Sequence, residues 1–243
     1  MSIESQIQQN APLPVSEEKL SAAFIAVMSR VYLWMTLGLA LTTAVSLWVL
    51  SNPTVLYFFY ETPLALFGLF AVQIALVIAL VAAMQKLSSG VALALFFLYA
   101  GLMGITLSSI FFVYDIGTIT MAFGVTAAVF VLLSIVGLTT KQDLTRWGPI
   151  LLFGLIGIII ATVVNIFLRS STLDLIITYA GVLIFMGLIV YDTKYIKQMT
   201  YTAASNGDVE TAVSRLSIMG ALKLYLDFIN LFLFLLRLLG RRR

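Results

Sequence analysis

The chain has 243 residues, 61% of them apolar and only 10% charged, with 14 basic and 11 acidic side chains and a formal charge of +3. Soluble domains are about 45–50% apolar and about 25% charged, so a water-soluble fold of this length lacks the polar side chains to cover itself. The absence of cysteine excludes disulfides and thiolate metal sites, and the absence of histidine removes the commonest general base and the imidazole ligand. The basic residues are scattered rather than gathered on one face, which argues against a nucleic-acid partner.

Residues 1–27 open polar, with Pro12, Pro14, Glu17, Glu18 and Lys19, and lack the basic start, short apolar core and cleavage site of a signal peptide. They read as a cytoplasmic tail, and residues 28–243 as a single transmembrane domain. Seven apolar stretches follow, approximately 31–50, 64–84, 91–113, 117–138, 149–168, 175–191 and 216–239, each about long enough to cross a bilayer as helix. The first six carry no formal charge. Without the alternating polarity of a barrel strand, their backbone amides can be satisfied only as helix. The fold class expected is an all-α membrane protein, a bundle of seven spans.

Breaks between the spans carry turn chemistry: Asn52-Pro53, Thr62-Pro63, Ser88-Ser89-Gly90, Asp115-Ile116-Gly117 and Gly148-Pro149, the last a proline at a helix start. Ala71, Ala75, Ala79 and Ala83 repeat every four residues and offer a close-packing face on span two. Gly101, Gly104, Gly154 and Gly157 read as close contacts as well. Gln73 and Asn165 are intramembrane amides suited to interhelical hydrogen bonds, and Asp115, Asp143 and Asp174 are assigned to loops or caps.

Orientation follows from short-loop charges. Lys86 follows span two, Lys141 and Arg146 follow span four, and Lys194, Lys197 and Arg215 follow span six, whereas the odd-numbered connections carry only Arg169. The even loops and the amino terminus therefore face the cytoplasm. Seven full spans leave Arg241, Arg242 and Arg243 outside, against that bias; the last segment either spans despite its tail or re-enters, and its 24 mostly apolar residues favour spanning.

Span seven differs in kind. Lys223, Asp227, Asn230 and Arg237 fall on one helical stripe about 80° wide, with Leu, Phe and Ile elsewhere. A charge at mid-bilayer costs about 2.5–3.5 kcal/mol on insertion scales, so this stripe faces protein or trapped water and the last helix belongs inside the bundle. Lys223 and Asp227, four apart, could instead neutralise one another locally, with Arg237 reaching the interface. Asp192 closes the apolar run of span six, where an ordinary helix-end residue at the water boundary is the simpler reading.

The run from Ala221 to Arg237, Ala-Leu-Lys-Leu-Tyr-Leu-Asp-Phe-Ile-Asn-Leu-Phe-Leu-Phe-Leu-Leu-Arg, closely resembles the last helix of the transmembrane Bax inhibitor motif family. The pieces beginning Gly104-Ile-Thr-Leu-Ser-Ser, Gly137-Leu-Thr-Thr-Lys-Gln-Asp and Ile189-Val-Tyr-Asp-Thr-Lys are similar too, so the resemblance covers the chain from about residue 20 onward. It implies seven helices with the last at the centre, and a pH-dependent calcium leak controlled by two aspartates, which map by motif onto Asp192 and Asp227. Some members latch the last helix through an acid on the second helix and the arginine of the last. Here Arg237 is present but the matching stretch offers Gln73.

Two carboxylates a few ångströms apart in a low-dielectric site share a proton and titrate as a pair. The shared proton bonds helices six and seven; its loss substitutes repulsion. Carboxylate oxygens also suit calcium, making Asp192 and Asp227 the metal candidates and calcium a transported ion, with no resident cofactor. By hydropathy, however, Asp192 sits at the cytoplasmic edge and Asp227 about 16 Å inside span seven. Their meeting requires helix six to continue toward Met199 or helix seven to begin outside the membrane.

The leading expectation is a proton-gated calcium leak in a bacterial inner membrane, with Lys223, Asn230, Arg237 and Gln73 as pore or latch residues. The alternative is an interaction protein: the resemblance extends to members that restrain an ATP-dependent membrane protease or suppress cell death, and the tail could engage such a partner. An enzyme is not expected. Two intramembrane aspartates superficially resemble an aspartyl protease, but Leu224-Tyr225-Leu226-Asp227 stands where those enzymes have Gly-Xaa-Gly-Asp.

Overall fold

A computed structural model describes residues 17–83, 87–206 and 209–240. Residues 1–16, 84–86, 207–208 and 241–243 lie outside the described residues, and with them most of the expected tail, the orienting Lys86 and the terminal arginines. Among the described residues there is no strand and there are nine helices: α1 (Glu17–Ser51), α2 (Pro53–Glu61), α3 (Pro63–Ala83), α4 (Ser89–Leu107), α5 (Ile110–Val113), α6 (Ile116–Thr139), α7 (Trp147–Leu168), α8 (Ser171–Ser205) and α9 (Val209–Leu239). Seven segments are long and apolar enough to cross a bilayer, with α4 and α5 forming one.

The helix ends follow their local chemistry. Asp115 Oδ1 accepts from Thr118 N at 2.8 Å and starts α6, and Ser170 Oγ accepts from Leu173 N at 3.3 Å and starts α8. Asn165 serves a turn rather than an interhelical bond: its Oδ1 accepts from Ser170 N at 3.0 Å, across a connection where Arg169 turns left-handed with φ 49°. Helix α1 begins at Glu17, well inside the stretch read as tail, because Ala23 and Val27 continue the buried face of the first span.

The outer helices present broad apolar faces to lipid, while α9 is enclosed. Two-thirds (67%) of its spanning window is buried, against 11–33% for the other six. It packs on α8, α1, α6 and α4. Tyr225, fully buried at its middle, places its hydroxyl 2.6 Å from Thr42 Oγ1, and Thr42 in turn donates to Ala100 O at 2.8 Å. The one proton of Thr42 is shared between Ala100 O and Gly38 O at 2.9 Å, neither of which can donate, so Tyr225 is the donor and the relay joins α9, α1 and α4.

The expected small-residue contacts divide. A Cβ on Gly104 would stand 2.6 Å from Thr42 O, and one on Gly154 2.8 Å from Ile184 Cδ1, so both mark close approaches; Gly101 and Gly157 face open space. The alanine stripe does not pack as expected: Ala71, Ala75 and Ala79 are exposed, because α3 turns Leu69, Gln73 and Leu80 inward instead.

Candidate functional site

Two helices build the site. Helix α8 runs unbroken to Ser205, far beyond the end of its apolar run, with no glycine or proline from Leu188 to Asn206 to stop it. Its polar extension is anchored to α6. Lys197 Nζ donates to Leu138 O at 2.7 Å and Lys194 Nζ to Gln142 O, so lysines read as loop charges instead bind carbonyls at and just beyond the carboxyl end of α6. Helix α9 likewise begins at Val209, before its apolar run. Both extensions lift the α8–α9 connection away from the site. Asp192 lies about 20 Å along α8 from it and Asp227 about 27 Å along α9, which shrinks the depth mismatch expected from hydropathy from about 16 Å to about 7 Å, little more than one helical turn.

Asp192 and Asp227 are both buried. Lys223 Nζ donates to Asp192 Oδ1 at 2.8 Å, an ion pair across the two helices rather than the local pairing with Asp227 that their spacing suggested. The same ammonium lies over the Tyr195 ring, 5.1 Å from its centroid. Asp227 Oδ2 is enclosed and finds no hydrogen-bond donor. The neighbour of Asp227 across the two helices is the Asp192 carboxyl. Ionised carboxylates only accept, so the two can hydrogen-bond only when a proton lies between them.

These groups open onto a cavity of about 1150 Å³ between α3, α7, α8 and α9. All four polar residues of the α9 stripe line it: Lys223, Asp227, Asn230 and, roughly 21 Å from Lys223 along the helix, Arg237. Asn230 Nδ2 donates to Leu226 O at 2.8 Å, which leaves its carbonyl as the free end. Gln73 also lines the cavity but does not reach Arg237; its Nε2 donates to Thr106 Oγ1 on α4 at 2.8 Å, the interhelical bond expected of it. Arg237 Nη1 instead meets Asp174 Oδ1 at 3.4 Å, each side chain about a third exposed. Asp174 thus does more than begin α8. Asp143 stays a loop residue, where the Thr145 hydroxyl and amide hold its carboxyl below the usual range.

The two ion pairs had a sequence signal that single-helix reasoning missed. In an antiparallel pair, residues equally distant from the connection face one another. Counted back from Asn206 and forward from Val209, Asp192 and Lys223 each lie 14 residues away, and Asp174 and Arg237 lie 32 and 28, so distance from the connection matches the pairs and passes over Arg215, which is too near it.

Comparison with known proteins places the chain among membrane proteins of one family. Residues 25–243 match the family described as "Inhibitor of apoptosis-promoting Bax1". The inner membrane protein YbhL of Escherichia coli K12 is 46% identical over 216 residues, covering 89% of this chain and 92% of that protein. An uncharacterized protein of Borreliella burgdorferi is 42% identical, covering 89% and 92%, and one of Caulobacter vibrioides is 37% identical, covering 97% and 96%.

Proposed function

Because this chain belongs to the Bax inhibitor family of integral membrane proteins, we propose that it is a pH-sensitive calcium leak of a bacterial inner membrane, opened when Asp192 and Asp227 lose a shared proton. The observation that carries this reading is Asp227 Oδ2, enclosed beside the Asp192 carboxyl with no donor of its own. An unsatisfied buried oxygen costs about 1–3 kcal/mol, and a proton between the two carboxyls removes that cost. With it in place, two carboxyls, one proton and the Lys223 ammonium sum to zero charge, and α8 and α9 are bonded together. Once it leaves, the cluster carries one net negative charge, the carboxylates repel, and their oxygens become ligands suited to a hard cation.

The polar stripe of α9 supplies the route. It follows the cavity from the aspartate pair past Asn230 to Arg237, where the Arg237–Asp174 pair stands at the far end as a second, weaker closure. This takes the place of the latch to helix two, whose position holds Gln73 bonded to Thr106. The charged loops orient the amino terminus toward the cytoplasm. The chemistry is passive conduction, and no catalytic step is assigned to either aspartate.

The test is calcium flux in liposomes that contain only this protein, measured from pH 5 to pH 8. If the closed state holds one proton more than the open one, flux rises with pH, by at most about tenfold per unit. Asp192→Asn and Asp227→Asn should each flatten that response. A pH response that survives both substitutions would overturn the gate, and the absence of calcium flux at any pH would overturn the leak.

A further inference from the structure

Resting on that reading of the aspartate pair as a cation site, we infer that the Lys223 ammonium is a tethered occupant of the site, and that a divalent cation binds only by displacing it. The helical spacing of Lys223 and Asp227 favours a pairing within α9, yet the ammonium crosses to Asp192 Oδ1 at 2.8 Å while still acting electrostatically on Asp227. It therefore stands at the one place in this cavity where two buried carboxyls converge. Among the described residues no group of three or more acidic side chains offers a metal an alternative home.

The two partners differ in freedom. The Asp192 side chain is 8% exposed and held in the helix packing, whereas that of Lys223 is 36% exposed and opens onto the cavity. A four-carbon stem lets the ammonium withdraw while the carboxylates stay in place. Calcium asks for six to eight oxygens at about 2.3–2.6 Å. The two carboxylates can give up to four, the Asn230 carbonyl lies one turn farther along the same face, and a cavity of about 1150 Å³ has room for the waters that complete the shell. An ammonium donates hydrogen bonds to the same oxygens that calcium would take, so the two cations compete for one site. A purely structural ion pair between α8 and α9 makes the opposite forecast: its removal weakens the fold and creates no affinity.

The experiment is calorimetric titration of calcium into the purified full chain at pH 8, with thermal unfolding followed in parallel to establish that each variant is folded. Lys223→Met should bind calcium at least tenfold more tightly than the parent, and calcium should raise its unfolding temperature. Lys223→Arg, which keeps the tethered charge, should bind as weakly as the parent. Lys223→Met/Asp227→Asn should lose the gain. Should Lys223→Met fail to fold, Lys223→Gln, which keeps a hydrogen-bond donor for Asp192, carries the same expectation. Equal affinity in the parent and the folded neutral variant, or none in either, overturns the inference. Binding gained without flux in liposomes would defeat the leak and leave the tethered cation standing. Flux in the parent that Lys223→Met leaves unchanged would do the reverse.

Discussion

Replacing Asp174 by Asn removes the acid that holds Arg237 at the far end of the cavity. The pair is long, 3.4 Å, and each side chain is about a third exposed, so water and salt screen it. Pairs of that kind are worth about 0.2–1 kcal/mol. The Lys223–Asp192 pair is shorter, 2.8 Å, with a carboxylate only 8% exposed, so it is screened less than the far pair although it falls short of the roughly 3–5 kcal/mol that breaking a fully buried pair costs. The two closures are therefore unequal, and Asp174→Asn should relax only the weaker. At about 1.4 kcal/mol per tenfold, calcium flux at a pH where the parent conducts should rise roughly 1.4- to fivefold, with its pH dependence intact. Asp174 also lies in the first turn of α8, where its charge favours the helix start. Arg237→Gln provides the control, because it opens the same closure without touching that turn, and its flux should rise by a similar factor. The double exchange Asp174→Arg/Arg237→Asp should return flux toward the parent. A rise beyond about thirtyfold, or flux equal to the parent in both single variants, would refute this ranking of the two ends.

Other parts of the bundle make separate forecasts. Tyr225→Phe removes the donor to Thr42; intramembrane bonds of this type average about 0.6 kcal/mol and reach about 1.7, so thermal unfolding in detergent should show a loss in that range. A loss too small to detect would show that the relay does not hold α9. Gly104→Val places a Cβ 2.6 Å from Thr42 O, a backbone atom that cannot swing aside. The α1–α4 contact must open, at a cost of about 1–3 kcal/mol, whereas Gly101→Val, facing open space, should unfold within about half a kcal/mol of the parent. Equal destabilisation by the two would contradict the packing described. Gln73→Leu deletes the bond to Thr106 and should leave the pH dependence of flux unchanged; a shifted dependence would place helix α3 in the gate after all.

The number and place of the spans were legible because lipid demands apolar length, and that demand is written residue by residue. The stripe on α9 was legible for the same reason in reverse: four polar side chains are too costly in lipid to stand on one face by accident. The middle spans also ended within two residues of where turn chemistry placed them, but the extensions of α1, α8 and α9 beyond their apolar runs were not legible. Hydropathy reports where the membrane stops, whereas α8 runs on through Asp192, Thr193 and Lys194 because nothing in that stretch breaks a helix and its lysines find carbonyls at the end of α6. Partners across helices were also hidden. Nothing local says that Lys223 will choose Asp192 over Asp227, or that Arg237 will find Asp174, until α8 and α9 are laid side by side. Ala71, Ala75 and Ala79 show the limit of pattern alone, since a stripe suited to close packing is used only when a neighbouring helix arrives.

A proton held between Asp192 and Asp227 is tested most directly by infrared spectroscopy of the reconstituted protein at pH 5, where ordinary aspartates are largely ionised. The parent should show one protonated-carboxyl band per chain that disappears over the same pH range in which flux rises. Asp227→Asn should lack it, because Asp192 then remains ionised against Lys223. No such band in the parent, or the same band in Asp227→Asn, would contradict the shared proton.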